Sequence, residues 1–218
     1  MKKFALIGYP VSHSISPLLH SSIFSQLGLD HFYELKELKK EDLESFVNRN
    51  KYYGYNVTIP YKKTIFNYIN RFENSCEDIG STNCIFKGKG YNTDWKGFVL
   101  SLKKNNIDVS QKKCAIIGAG ATAKSIAYAL IELRCKSISI YNRTHENRIS
   151  LENWIRFKIK TYNTKNYDII INSTSLGMWP NILESPMIRF ITSKDQIFYD
   201  VIYNPVSYTH LTLPTIRL

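Results

Sequence analysis

No stretch of these 218 residues approaches the roughly 20 consecutive apolar residues that a membrane-crossing helix needs. The opening Met1-Lys2-Lys3 runs straight into Phe4-Ala5-Leu6-Ile7-Gly8 and lacks the layout of a cleavable signal, so the expectation is a cytoplasmic chain with no membrane partner. Cysteine is scarce. Cys76, Cys84, Cys114 and Cys135 stand singly with no C-x-x-C pair, which argues against a zinc site or a disulfide framework and suits buried or idle thiols in a reducing compartment. Acid is short relative to base, with 18 Asp and Glu against 29 Lys and Arg, and the resulting charge of +11 attracts phosphate of any kind. The basic residues are nevertheless spread along the chain without a nucleic-acid-binding motif, so an anionic cofactor and an anionic small substrate are expected rather than nucleic acid. Internal repeats and low-complexity blocks are also missing. At 44% hydrophobic and 13% aromatic content the chain is too apolar for disorder and can bury one sizeable core or two small ones.

Short apolar segments alternate with amphipathic ones, the pattern of a mostly parallel sheet covered by helices, so the fold class is α/β. Strands are predicted over residues 3–8, 32–35, 54–58, 83–86, 113–117, 137–141, 168–172 and 196–201. The clearest helix is predicted over residues 17–27, with Ser16 as its cap, Pro17 in the first turn where no N–H is needed, and Gly28 as its stop. Lys87-Gly88-Lys89-Gly90 reads as a tight turn, and residues 94–104 as a helix leading to a new strand at Lys113. Two α/β domains follow, residues 1–96 and 97–206, with the change placed on that helix.

Ala115-Ile116-Ile117 runs into Gly118-Ala119-Gly120-Ala121-Thr122-Ala123, a G-x-G-x-x-A sequence between a strand and a helical pattern over residues 125–133. The first glycine makes the tight turn, the second lets backbone N–H groups approach a pyrophosphate, and the small third residue packs helix on strand. About twenty residues on, an NAD site would offer Asp or Glu to the ribose, whereas this chain offers Asn142-Arg143-Thr144. Arg143 can pair with a 2′-phosphate and Thr144 adds a hydroxyl, which selects NADP over NAD. The competing reading of Arg143 is a surface arginine at a strand end.

In the first domain, Gly8-Tyr9-Pro10-Val11-Ser12-His13-Ser14-Ile15-Ser16-Pro17 crowds hydroxyls around a helix N-terminus, a natural place for a carboxylate. Gly54-Tyr55-Asn56-Val57-Thr58-Ile59-Pro60-Tyr61-Lys62 puts Thr58 and Lys62 just past a strand end, and Gly90-Tyr91-Asn92-Thr93-Asp94-Trp95-Lys96-Gly97-Phe98 puts Asp94 at a helix start. Singly, each has a plain reading: Ser16 and Asp94 as caps, Lys62 as a solvated first-turn lysine. Together with Ile79-Gly80-Ser81-Thr82-Asn83, Asn172-Ser173-Thr174-Ser175-Leu176-Gly177-Met178 and Tyr199-Asp200-Val201-Ile202-Tyr203-Asn204-Pro205, they resemble the shikimate dehydrogenase family from about residue 3 to residue 205.

That resemblance implies an NADP-dependent oxidoreductase that reduces 3-dehydroshikimate to shikimate in aromatic amino-acid (chorismate) biosynthesis. It implies that Ser14 and Ser16, with Tyr203 nearby, hold the substrate carboxylate, and that Thr58, Asn83 and Asp94 bind ring hydroxyls. Lys62 would be the acid/base and Asp94 its orienting partner; no metal is required. Gly118, Ala119, Gly120, Ala121, Thr122, Asn142, Arg143, Thr144 and Val201 would bind NADP. Departures are few: Ser81-Thr82 stand for a usual Ala-Val, Ser21 for an Asn, Ala121 for a Gly, and Asn147, beside Arg148, for a second arginine. Family members occur as monomers and homodimers. Residues 206–218 show no helical period and match nothing in the family, so residues 207–218 read as a non-native tail in place of closing helices. The expectation is then NADP binding with weak shikimate turnover. Alternatives are a quinate/shikimate dehydrogenase relative and an inactive truncated fragment that retains nucleotide binding.

Overall fold

The computed structural model describes residues 1–49, 51–159, 166–178, 182, 184–186 and 193–202. Tyr203 and the tail read over residues 207–218 lie outside the described residues. The chain divides into two compact units, one ending at Thr93 and the other beginning at Asp94.

In the first unit, strands β1 (Lys2–Gly8), β2 (His31–Glu37), β3 (Gly54–Val57), β4 (Cys84–Phe86) and β5 (Lys89–Tyr91) form one sheet in the order β2-β1-β3-β4-β5. β1 runs parallel to both β2 and β3, and β3-β4-β5 is antiparallel. Alternation along β1 feeds two cores: Ala5 and Ile7 pack with Leu43, Tyr55, Val57, Tyr61, Ile65 and Ile85 on one face, and Leu6 packs with Val11 and Tyr33 on the other. Helix α1 (Ser16–Gln26) lies on that second side, where His20 stacks on Tyr33 and Phe24 meets Phe4. Its other apolar residues Leu18, Leu19 and Ile23 are exposed, as is Leu27 at its C-cap, and the helix buries none of its residues.

Local chemistry explains the boundaries. Gly28, at φ +63°, closes α1 with its N–H on the Ser25 carbonyl while Leu29 N–H reaches the Phe24 carbonyl, the paired bonds of a left-handed helix stop. The helix starts one residue earlier than predicted: Ile15 is the cap and Ser16 the first helical residue, because Ser14 Oγ accepts the Ser16 N–H and takes over the capping duty. β5 was not expected. Only Lys87 and Gly88 turn, both at positive φ (48° and 72°), so the hairpin loop needs two residues rather than four and Lys89-Gly90 joins the sheet. Shorter helices α2 (Leu43–Asn48), α3 (Tyr61–Thr64) and α4 (Asn74–Ile79) complete this unit.

The second unit opens with α5 (Asp94–Lys104) and holds an all-parallel sheet in the order β7-β6-β8-β9, from β6 (Lys113–Ile117), β7 (Ser137–Tyr141), β8 (Ile169–Asn172) and β9 (Ile197–Asp200). Helices α6 (Ala121–Glu132) and α7 (His145–Arg156) cover one face with α5, through Phe98, Leu102, Ile126, Leu130, Leu151 and Ile155 against Cys114, Ile116, Ile138 and Ile140. β6 and β8 are buried on both faces, as a covered parallel sheet requires, while β7 alternates buried Ile138 and Ile140 with buried Ser137 and Ser139. All four cysteines are free thiols, and the hydrogen bond with neighbouring Cys135, together with burial, pushes the Cys114 thiol far up. Among the described residues no helix is long and apolar enough to cross a membrane, and no group of His, Cys, Asp or Glu could hold a metal ion.

Candidate functional site

In an open parallel sheet the chain leaves one strand to one side and later crosses to the other, and the carboxyl ends of the two strands at that reversal splay their loops apart into a crevice. Each unit has one such point: β1 beside β3 in the first, β6 beside β8 in the second. Ser14, Ser16, Thr58, Lys62 and Asn83 fall around the first point and the loop at residues 118–122 follows β6 at the second, whereas Asp94, Asn142, Arg143, Thr144 and Val201 stand at other element ends.

In the first unit, β1 ends at Gly8, where the chain turns toward α1 and brings Ser14 and Ser16 to the helix N-terminus. A side chain at Gly8 would meet Thr58 Cγ2 at 2.5 Å, Val11 Cγ1 at 2.7 Å and the Ile59 carbonyl at 2.8 Å, so glycine is what lets the loops after β1 and β3 approach. Tyr9 N–H donates to the Ile59 carbonyl at 3.0 Å and Thr58 N–H to the Ile7 carbonyl at 2.9 Å. Glu37, at the end of β2, accepts the N–H groups of Val11 (2.7 Å) and Ser12 (3.1 Å) and so braces the serine loop. Ser14 Oγ donates to Ser16 Oγ at 3.0 Å; both residues are half-buried.

Lys62 is the second residue of α3, half-buried, and its carbonyl accepts the Thr82 N–H at 2.9 Å. That bond joins the lysine's turn to the segment preceding β4, where Asn83 takes Thr93 from two directions: Asn83 Oδ1 accepts the Thr93 N–H at 2.8 Å and Asn83 Nδ2 donates to Thr93 Oγ1 at 2.9 Å. The departures Ser81 and Thr82 are fully buried and satisfied. Asn92 Nδ2 donates to Ser81 Oγ at 3.2 Å, and Thr82 Oγ1 donates to the Tyr91 carbonyl at 2.7 Å. Ser14, Ser16, Thr58, Lys62 and Asn83 are thus all carried on segments around the carboxyl ends of β1 and β3.

In the second unit, Asp94 is half-buried at the first position of α5. Gly118 follows β6 at φ +113°, and a Cβ there would lie 2.6 Å from Ser173 Oγ, in the loop after β8. Ser173 is pinned in turn, its Oγ and its N–H both donating to the Ile117 carbonyl at 2.7 and 2.8 Å. Gly120 caps α6 in an extended conformation with no side-chain hydrogen bond, and a Cβ built on it meets nothing within 4 Å. The first turn of this twelve-residue helix thus has no side-chain cap and open space beside Gly120, a fit for a pyrophosphate.

After β7, Asn142 Nδ2 donates to the Thr144 carbonyl at 2.8 Å, which fixes the loop on which exposed Arg143 stands. Thr144 caps α7 through its backbone without spending its hydroxyl. Arg148 is committed elsewhere, 2.7 Å from Glu152 and 3.2 Å from His145 Nδ1. After β9, Val201 N–H donates to the Asn172 carbonyl at 3.1 Å, while Asn172 Nδ2 reaches Asp200 Oδ1 at 3.2 Å and ties the ends of β8 and β9 together. Glu37, outside every motif, and Thr93, Asn172 and Ser173, which lie within quoted blocks but were given no role, hold these loops. Their signal in sequence is weak, because each acts on a partner distant along the chain.

The chain matches known protein families over most of its length. Residues 6–85 match the shikimate dehydrogenase substrate binding domain, and residues 100–202 match the shikimate / quinate 5-dehydrogenase domain. The chain is 38% identical over 221 residues to a shikimate dehydrogenase (NADP(+)) of Caldanaerobacter subterraneus subsp. tengcongensis, covering 94% of this chain and 79% of that one. Among solved structures it is similar to a shikimate dehydrogenase in complex with NADP+, at TM-score 0.89 and 31% identity over 100% of this chain and 84% of that chain. It is also similar to the Thermus thermophilus shikimate 5-dehydrogenase in complex with NADP(H) and shikimate, at TM-score 0.84 and 26% identity over 94% and 80%.

Proposed function

The chain belongs to the shikimate dehydrogenase family, and from that premise we propose that it catalyses the reversible NADPH-dependent reduction of 3-dehydroshikimate to shikimate. The observation that carries this reading is the gathering of two serine hydroxyls, Thr58, Lys62 and Asn83 around one sheet reversal point, in a chain whose second unit offers an uncapped helix end after a G-x-G loop. Ser14 and Ser16 donate to the substrate carboxylate at the start of α1, where the helix dipole favours an anion. Thr58 and Asn83 orient ring hydroxyls, so that the ketone is presented in one direction.

NADPH, when bound, supplies the hydride that adds to the carbonyl carbon. The oxygen then carries the electron pair of the former π bond and needs a proton; the Lys62 ammonium gives it one, and in the reverse direction the neutral amine removes it. Asp94 is the carboxylate that orients this lysine and the hydroxyl. The first-turn amides of Ala121 and Thr122, after Gly118-Ala119-Gly120, hold the pyrophosphate, and Arg143 with Asn142 and Thr144 holds the 2′-phosphate end. Arg148 is occupied by Glu152, so Arg143 carries the cofactor preference.

The match of residues 100–202 to the shikimate / quinate 5-dehydrogenase domain supports the alternative of a relative acting on both. The experiment is a titration of the purified protein with shikimate and quinate, each with NADP+ and NAD+, following reduced nicotinamide. Shikimate with NADP+ giving the highest kcat/KM is expected. Quinate or NAD+ in first place overturns the assignment.

A further inference from the structure

The Asn83 side chain meets Thr93 through a two-sided contact to which the reaction scheme gives no role. Thr93 N–H donates to Asn83 Oδ1 at 2.8 Å, and Asn83 Nδ2 donates to Thr93 Oγ1 at 2.9 Å, with Thr93 Oγ1 also 3.3 Å from Oδ1. A backbone N–H can only donate, so the atom that it meets must be the amide oxygen. Turning the amide over would set its NH2 group against that N–H, donor against donor. The N–H therefore decides which end of the amide faces the Thr93 backbone, and the hydroxyl, as a second point of attachment, fixes the amide plane.

Both halves of this clasp stand on anchored backbone. The Asn83 carbonyl accepts the Val57 N–H at 2.9 Å and Asn56 Nδ2 at 3.3 Å, and the Asn83 N–H donates to the Tyr91 carbonyl at 3.1 Å, which ties the residue to β3 on one side and to β5 on the other. On the Thr93 side, the Tyr91 carbonyl also accepts Thr82 Oγ1 at 2.7 Å. Asn92 is only 1% exposed and donates through Nδ2 to the Ser81 carbonyl at 3.1 Å and to Ser81 Oγ at 3.2 Å. The two residues before Thr93 are thus bonded to the two residues before Asn83, and the clasp closes between segments already held at a fixed spacing. Asn83 is half-buried and Thr93 exposed, so the amide lies at the surface of the first unit and not in its core. An asparagine amide otherwise turns about a broad torsion with two near-equivalent faces.

We propose that Thr93 is a positioning residue for hydroxyl recognition, holding the Asn83 amide in the one orientation in which it meets a ring hydroxyl of the substrate. The inference rests on the reading of Asn83 as a ring-hydroxyl partner. Without the Thr93 hydroxyl, Thr93 holds the amide through its N–H alone and the amide plane loosens, so the torsion must be fixed when substrate binds. Preorganisation of this kind shows as affinity, because the cost of fixing the torsion has been met before binding.

The test is a double-mutant cycle on the full chain, reading the equilibrium dissociation constants of shikimate and NADP+ by calorimetry. Thr93→Val keeps the shape, the β-branch and the N–H and removes the hydroxyl; it is expected to weaken shikimate about five- to tenfold, the scale of one hydrogen bond, and to leave NADP+ unchanged. Thr93→Ser keeps a hydroxyl in the same place and should bind shikimate within about twofold of the parent. In an Asn83→Ala background Thr93→Val should weaken shikimate by no more than about twofold, since the group it acts through is gone. In turnover the loss should fall on KM for shikimate; a fall in kcat instead would place the effect on the neighbouring Asp94 and overturn the proposal. An equal loss in both backgrounds, no loss in the parent, or no rescue by serine overturns it as well. A parent that binds no shikimate, or an Asn83→Ala variant that binds it as the parent does, removes the functional reading and the inference with it. Asn83→Ala weakening shikimate while Thr93→Val matches the parent sinks the inference alone. Should Thr93→Val fail to fold, Thr93→Ala takes its place in the same cycle: coupling to Asn83→Ala supports the clasp, and independent costs refute it.

Discussion

At Lys62 and Arg143 the proposed chemistry is carried by single cationic groups, and each can be removed without touching a core. Lys62→Ala takes away the proton donor, and a general acid/base group is worth about 10²–10⁴-fold, so kcat for shikimate should fall by that factor while the NADP+ dissociation constant stays within about twofold. Near-normal turnover in the variant would remove Lys62 from the mechanism. Arg143→Ala should weaken NADP+ by about 1.5–3 kcal/mol, the loss of a charge-assisted bond, and weaken NAD+ far less, because only the former carries the 2′-phosphate. Equal weakening of both cofactors, measured by fluorescence titration, would assign Arg143 to the adenine or to the loop. Glu37 shows why some contributors escape a reading of sequence: nothing local marks a strand-end glutamate as the acceptor for two amides more than twenty residues away.

At the scale of the element, two glycines at positive φ separate backbone strain from crowding. Gly28 ends α1 at φ +63° with nothing within 4 Å of a built Cβ, so Gly28→Ala costs only the left-handed strain, about 1–2 kcal/mol by denaturant titration. Gly118 sits at φ +113° with Ser173 Oγ 2.6 Å from the same atom, so Gly118→Ala must also displace the loop after β8. It should lower stability by more than Gly28→Ala does and abolish detectable NADP+ binding; a variant with parental stability and affinity would show that the G-x-G turn tolerates a side chain. The strand–glycine–helix element was legible because its constraints are local: apolar residues, a turn that needs glycine, then a helical period. The Ser16 cap was not. Which residue caps depends on where the entering chain bends, and here Ser14 folds back to serve Ser16 instead. β5 was hidden for a similar reason, since Lys-Gly-Lys-Gly gives a turn signal longer than the two residues that turn.

Across the whole molecule, each unit has its own sheet and its own buried clusters, Ile7 and Leu6 belonging to those of the first, Ile116 and Ile117 to those of the second. A ligand stabilises what it binds by RT ln(1 + [L]/Kd), about 2.7 kcal/mol at a hundredfold excess over Kd. In hydrogen-exchange measurements NADP+ alone should slow exchange chiefly in β6, α6 and β7, and shikimate alone chiefly in β1, β3 and the first turn of α1. Uniform protection of both units by either ligand would contradict this assignment of ligands to units. With a charge of +11 and two anionic ligands, both affinities should also fall as salt rises from low to physiological ionic strength, because screening shortens the reach of the excess positive charge.

Sequence by itself determined the α/β class, the strand and helix that flank Gly118, and the choice of glycine at turns, because these rest on periodicity and on φ, both properties of neighbours along the chain. Tertiary structure alone decided which distant segments meet. The parallel registers of β1 with β2 and with β3 bring Tyr33, Asn56 and Asn83 into one hydrogen-bonded run, and the packing of Gly118 on Ser173 joins the loops after β6 and β8. The physical reason is the same in both places. A hydrogen bond between residues 23 or 27 positions apart has no local signature; it exists only once sheet register has set the separation and direction of the two side chains.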